Sequence, residues 1–205
     1  MEHATKPNRL ELGLLLGLGA GNVAVDVFSL PKAPLVVAGV ALWLCWLAVR
    51  LRREPGALRE WGLRTDNLGP AAREAALVTL PLAAAMVVFG FAVGRLPPPA
   101  GFWLILALYP AWGLAQNFLL NAMLARNLRA RLSEPAVVAV STLLFSASHV
   151  PDLPIMGLTL LIAPIWLVLY RRHPNLWVLG VAHGLLGTLA FTAVLGRDVL
   201  ASLVR

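Results

Sequence analysis

Five polar side chains inside apolar runs carry the chemistry this sequence offers: Gln116, Asn117, Asn121, His149 and His183. A neutral imidazole both donates and accepts a hydrogen bond and titrates near neutral pH, so it can serve as base, acid or metal ligand. Amides donate and accept but do not titrate. In hydrocarbon a polar group without a partner costs several kcal/mol. Three amides in one apolar run therefore need partners, and the histidines of two later apolar runs are the best the chain supplies. Asn117 and Asn121 are four apart and share one face of an α-helix, with Gln116 beside it. Read as packing alone, such amides bond between helices and do no chemistry. Two histidines in separate runs point further, to one intramembrane site. Asp26 joins them as a candidate, because an acid facing a bundle interior is functional by default. Its place near the end of its run, before Pro31 and Lys32, also suits a headgroup contact. Amides replace carboxylates poorly as metal ligands and the single cysteine, Cys45, lies in an apolar run. The sequence thus leads to no metal site, no disulfide and no cofactor.

These residues must be positioned by membrane helices. Of 205 residues, 59% are hydrophobic and 13% charged, about half the charge share of a soluble domain. The apolar residues fall in runs at about 10–30, 35–49, 75–93, 102–125, 136–150, 155–170 and 176–195. The expectation is an all-α, polytopic integral membrane helical bundle of about seven transmembrane helices, one membrane domain over residues 1–205. The first run reads as a retained helix, not a cleaved leader, since further spans follow and it contains Asp26. Its glycines 13, 17 and 21 recur every four residues and suit close helix packing.

The breaks complete the pattern. Residues 50–74, rich in Arg, read as a solvated connector along the headgroups: a surface helix, a break at Gly69–Pro70, and Trp61 as an interface anchor. Pro110 marks a kink. His3 and His173 fall in a tail and a loop, outside the chemistry. Thirteen Lys and Arg residues lie on one side if seven helices alternate, and four, including Arg205, on the other. The positive-inside rule then sets an integral position in a bacterial inner (cytoplasmic) membrane, N-terminus cytoplasmic and C-terminus extracytoplasmic. The net charge of +7 thus fits anionic headgroups. It does not fit nucleic acid, because the aromatics are not interleaved with the basic residues. Membrane lipids are the expected partners.

Three short motifs give the site more shape. Gln116-Asn117-Phe118-Leu119-Leu120-Asn121 is followed by Phe145-Ser146-Ala147-Ser148-His149 and by His183-Gly184-Leu185-Leu186-Gly187. In order, spacing and apolar setting they resemble the CAAX prenyl endopeptidase and bacteriocin-processing (CPBP, Abi) family of intramembrane proteins. That family carries two adjacent glutamates and, after three further positions, an arginine. It then carries a phenylalanine and a histidine with three positions between them, and a histidine and an asparagine likewise. The resemblance covers residues 70–195, a family-like core holding the three motif helices. It implies that Gln116 stands at the water-activating acid, Asn117 at the second acid, Asn121 at the arginine and Gly187 at the asparagine, while both histidines are kept. Phe145, Ser146, Ser148 and Gly187 are the neighbouring candidates for ligand contact, with Asp26.

The departures shape the expected function. Gln has nearly the shape of Glu but is no base near neutral pH, and a general base is worth about 10²–10⁴-fold in rate. The leading expectation is a divergent relative that binds a lipidated or hydrophobic peptide, an isoprenoid-like ligand or a membrane-protein partner without the glutamate mechanism. A second is a hydrolase or peptidase in which His149 or His183 is the base. A third is an isomerase- or cyclase-type reaction on an apolar small molecule, in room opened by Gly187.

Overall fold

A computed structural model describes residues 8–198 as an all-α helix bundle. His3 and Arg205, and the expectations resting on the two ends of the chain, lie outside the described residues. Six of the described helical stretches are long and apolar enough to cross a bilayer, which fits a polytopic membrane fold. The fifth apolar run, at 136–150, forms a helix of only 14 residues, Glu134–Ala147. At about 1.5 Å per residue it falls well short of a hydrocarbon core of about 30 Å. Among the described residues the seven expected runs are thus six long apolar helices and one short one.

The chain divides into two compact units, Met1–Trp61 with Phe118–Val168, and Gly62–Asn117 with Leu169–Arg205. In the first, α1 (Arg9–Val27) packs on α2 (Lys32–Arg53) and on a π-helix, π1 (Phe118–Ala125). The short α3 (Ala57–Glu60) returns onto α2, and π1 runs into one turn, α6 (Arg126–Arg129), before α7 (Glu134–Ala147). Asn8 starts α1 as its N-cap, its side chain accepting from the Leu10 and Glu11 amides, while its own amide group donates to Glu11 Oε1 at 2.9 Å. This reciprocal cap satisfies donors that a helix N-terminus leaves open.

Glu11 then anchors the unit. Its carboxylate is fully buried and takes hydrogen bonds from Arg126 and Asn127, each at 2.7 Å. The Asn8 amide nitrogen closes the group on Asn127 Oδ1 at 2.6 Å. Nearby, Trp43, Trp46, Trp61 and Phe118 form an aromatic cluster in which Trp46 and Trp61 stack at 5.5 Å. Trp61 is fully buried. It is therefore a core residue of this unit and not the interface anchor that its place in a charged connector suggested.

The second unit is built on α4 (Leu68–Ala92), α5 (Phe102–Asn117), the last residues of α8 (Leu153–Arg172), α9 (Leu176–Leu189) and a second π-helix, π2 (Ala190–Val194). Gly69 and Pro70 lie in the first turn of α4, not in a break. A first-turn proline loses no helix bond, because its N–H has no intrahelical acceptor. Asn175 caps α9 through Val178 and, fully buried, donates to the Arg64 carbonyl and to Asn67 Oδ1. The connector is thereby clamped to the turn before α9.

The two π-helices share a local feature. The Asn117 side chain takes the Gly113 carbonyl four residues back, and π1 starts at the next residue. Thr188 takes the Gly184 carbonyl in the same way, two residues before π2. A side chain that competes for an i−4 carbonyl perturbs the helical ladder at that point, but Thr159 takes the Ile155 carbonyl inside α8, which stays α-helical, so the bond alone does not set the π geometry. Single-turn π elements recur at functional sites.

Candidate functional site

In the second unit, α5 and α9 meet almost backbone to backbone. A methyl group at Gly113 would stand 2.8 Å from the Gly180 carbonyl, and one at Gly184 would stand 2.6 Å from the Pro110 nitrogen. Only glycine permits this approach. It brings Asn117, on α5, to His183, on α9. Asn117 Nδ2 lies 2.9 Å from the Gly113 carbonyl oxygen and 3.2 Å from His183 Nδ1. Gln116, one residue earlier, is half-buried.

This pair fixes a tautomer. A carbonyl oxygen only accepts, so the Asn117 amide must turn its NH₂ toward Gly113. The same NH₂ faces His183 Nδ1, which therefore accepts and carries no proton. The neutral ring then holds its proton on Nε2.

His149 has the opposite assignment. It follows α7 in the first unit, with Nδ1 2.9 Å from the Phe145 carbonyl oxygen. Nδ1 must donate, so the neutral ring presents a basic Nε2. Phe145 packs edge-on against the imidazole at 5.1 Å. Ser148 donates to the same Phe145 carbonyl at 2.7 Å, and Ser146 donates to the Met156 carbonyl at 2.8 Å, tying α7 to the start of α8. Both hydroxyls thus serve the backbone of their own unit.

Asn121 is fully buried in π1. Asp26 is half-buried in the last turn of α1. One turn before it, Asn22 Nδ2 donates to the Ser148 carbonyl at 3.1 Å. Asp152 caps the start of α8 through Ile155. Among the described residues no group of three or more His, Cys, Asp or Glu side chains is placed to hold a metal ion.

Gly187 departs from its sequence-based expectation. It leaves no room beside His183, because the Tyr109 ring fills the place of its missing side chain, with Cδ1 3.0 Å from where a methyl group would stand. The space beside Gly184 is likewise taken by Pro110. Residues that the sequence pattern did not single out are Tyr109, Gly113, Asn22 and the Glu11 group. Asn22 stands four residues before Asp26 on one helix, a spacing that could have flagged it.

Residues 97–189 match the family described as Type II CAAX prenyl endopeptidase Rce1-like. No curated protein and no solved structure matches the chain. The family-level match covers all three motif positions and leaves α1 to α4 outside it.

Proposed function

We propose that this CAAX-protease-like membrane protein binds a lipidated or hydrophobic peptide, or an isoprenoid-like ligand, without a glutamate-based protease mechanism. The observation that carries this reading is the Asn117 amide, whose NH₂ is shared between Gly113 and His183. Where the resemblance places an acid, this chain has a group that only hydrogen-bonds. With Nδ1 accepting from Asn117, the neutral His183 ring carries its proton on Nε2 and is a donor, not a base, at that nitrogen. A donor of this kind in a dry site holds a carbonyl without needing a base.

A second reading has its own observation. His149, held through Nδ1, offers a basic Nε2, and a histidine base would make the protein a hydrolase or peptidase. An isomerase- or cyclase-type reaction draws its support from open space at Gly187, and Tyr109 occupies that space.

One experiment separates the first two. Purified protein is incubated with farnesylated and unmodified hydrophobic peptides, beside H149A and H183A. Binding that H183A weakens, with no cleavage, is the expected result. Cleavage lost in H149A would replace the binding reading with the hydrolase. No binding of any peptide would remove both.

The proposed setting is a bacterial inner membrane with the N-terminus in the cytoplasm and the C-terminus outside. The asymmetry of Lys and Arg between the two sets of loops supports it. A reporter fused after Arg205 should read extracytoplasmic, and a cytoplasmic signal would mean that the short Glu134–Ala147 helix does not cross.

A further inference from the structure

Local donors satisfy the backbone carbonyls around His149, with one exception. The Ser146, Ala147 and His149 carbonyls each accept from the backbone N–H three residues on, those of His149, Val150 and Asp152, at 3.0, 3.1 and 2.8 Å. The same pattern would give the Ser148 carbonyl to residue 151, which is proline and has no N–H. The side-chain donors closest in the chain are the Ser148 hydroxyl and His149 Nδ1–H, and both serve the Phe145 carbonyl. The Ser148 carbonyl accepts instead from another helix: Asn22 Nδ2, on α1, lies 3.1 Å away. Asn22 thus fills the gap that Pro151 leaves, one residue before His149.

We propose that Asn22 is a positioning residue for His149, and that α1, which lies outside the matched residues 97–189, belongs to the His149 site. Without the Asn22 amide, the Ser148 carbonyl competes with the Phe145 carbonyl for the Ser148 hydroxyl and for His149 Nδ1–H, and the imidazole loses its single orientation. A buried acceptor left unmet carries its full desolvation penalty, so the turn rearranges to find a donor. The height of Asn22 is itself fixed from the other end of α1. Eleven residues earlier, Glu11 holds Arg126 and Asn127, and Asn127 donates to the Met123 carbonyl inside π1. At about 1.5 Å per residue, the two tethers stand about 16 Å apart along the helix. In this unit α1 therefore spaces the His149 turn from the end of π1. The inference goes beyond both functional readings above: it concerns where the imidazole is held, whichever task it performs. No covalent step is involved.

Ser148–His149 is the one Ser–His pair in the sequence, so ¹³C-carbonyl serine with ¹⁵N-histidine isolates the Ser148 carbonyl by solid-state NMR of the full-length protein in lipid bilayers. With asparagine side-chain ¹⁵N added, the unaltered protein should show a dipolar contact between an asparagine amide and that carbonyl. Asn22→Leu keeps the volume and removes the donor. It should move the Ser148 carbonyl signal upfield and split the His149 Nδ1–H signal, a single line in the unaltered protein, into lines of both tautomers. Asn22→Gln keeps a donor and should restore one line. Glu11→Gln removes the charge at the other tether. It should lower the unfolding midpoint and leave both signals in place, which separates positioning from stability. An unmoved His149 line in N22L overturns the proposal, and so does an equal disturbance in E11Q. The dipolar contact needs no variant, so its absence from the unaltered protein overturns the proposal even where N22L fails to fold.

Discussion

His183 accepts through Nδ1 the hydrogen bond that Asn117 Nδ2 donates across 3.2 Å. Because the same amide group also faces the Gly113 carbonyl, its orientation cannot be reversed without setting two oxygens against each other. The imidazole tautomer is therefore dictated by a backbone carbonyl one turn away. An amide at this position does what a carboxylate cannot: it leaves Nδ1 bare and places the proton on Nε2.

Asn117→Asp should reverse that arrangement. A carboxylate only accepts, so His183 would take a proton on Nδ1 to meet it, and the Gly113 carbonyl would lose its side-chain donor. Histidine ¹⁵N spectra should show a bare Nδ1 in the unaltered protein and a protonated Nδ1 in the variant. Asn117→Ala should cost about 1–3 kcal/mol, since buried acceptors are left unmet. An unchanged His183 spectrum in N117D would sink the tautomer assignment.

The glycines of α9 and α1 should separate cleanly. Gly184→Ala sets a methyl 2.6 Å from the backbone nitrogen of Pro110, and backbone cannot yield as a side chain can. Overpacking of this kind costs about 1–3 kcal/mol or more. Gly17 has nothing within 4 Å of its missing side chain, so Gly17→Ala should be neutral or slightly stabilising through helix propensity. Thermal unfolding in detergent measures both. Equal effects would mean that α5 and α9 are not in backbone contact.

Glu11→Ala should be among the most damaging single changes in the first unit. It leaves Arg126 and Asn127 without the carboxylate that they share, and breaking a buried ion pair from one side costs about 3–5 kcal/mol. Replacing both Glu11 and Arg126 by Met should recover much of that loss, because the uncompensated charge is gone. A double-mutant cycle on unfolding midpoints gives the coupling. Additive losses would show that the pair does not act as a unit.

The membrane class was legible from apolar runs alone, since hydrocarbon length and backbone satisfaction leave helices few alternatives. Span edges near Phe102 and Leu176 were also legible. The short Glu134–Ala147 helix was legible in length, since the run at 136–150 is hardly longer, but its end was not, because the chain leaves the helix before Ser148, His149 and Val150. That an amide of this helix meets a histidine of a later one was legible, because both are costly in hydrocarbon and few partners exist; that Asn117 is the amide facing His183 was not. Gly187 misled, since a missing side chain says nothing about what fills its place, and the filler sits 78 positions away on another helix. Glu11 passed unmarked at the start of the first apolar run, because burial of a helix start depends on a partner at Arg126 that no local pattern announces.

Trp61 allows a test in which removing a polar atom should not hurt. Its ring is fully buried against Trp46 and Phe118, yet its indole nitrogen has no hydrogen-bond partner among the described residues. The ring supplies packing, and the buried N–H works against it. Trp61→Phe keeps an aromatic ring and deletes the unmet donor, so the packing loss and the relief oppose each other. Its unfolding midpoint should stay close to that of the unaltered protein. Trp61→Ala removes the ring and should cost about 3–5 kcal/mol. Both are read by thermal unfolding with helix content as the signal, since tryptophan emission changes with the mutation itself. If Phe proved as damaging as Ala, the indole N–H would have to hold a partner worth as much as the ring, and the packing account of this cluster would fail.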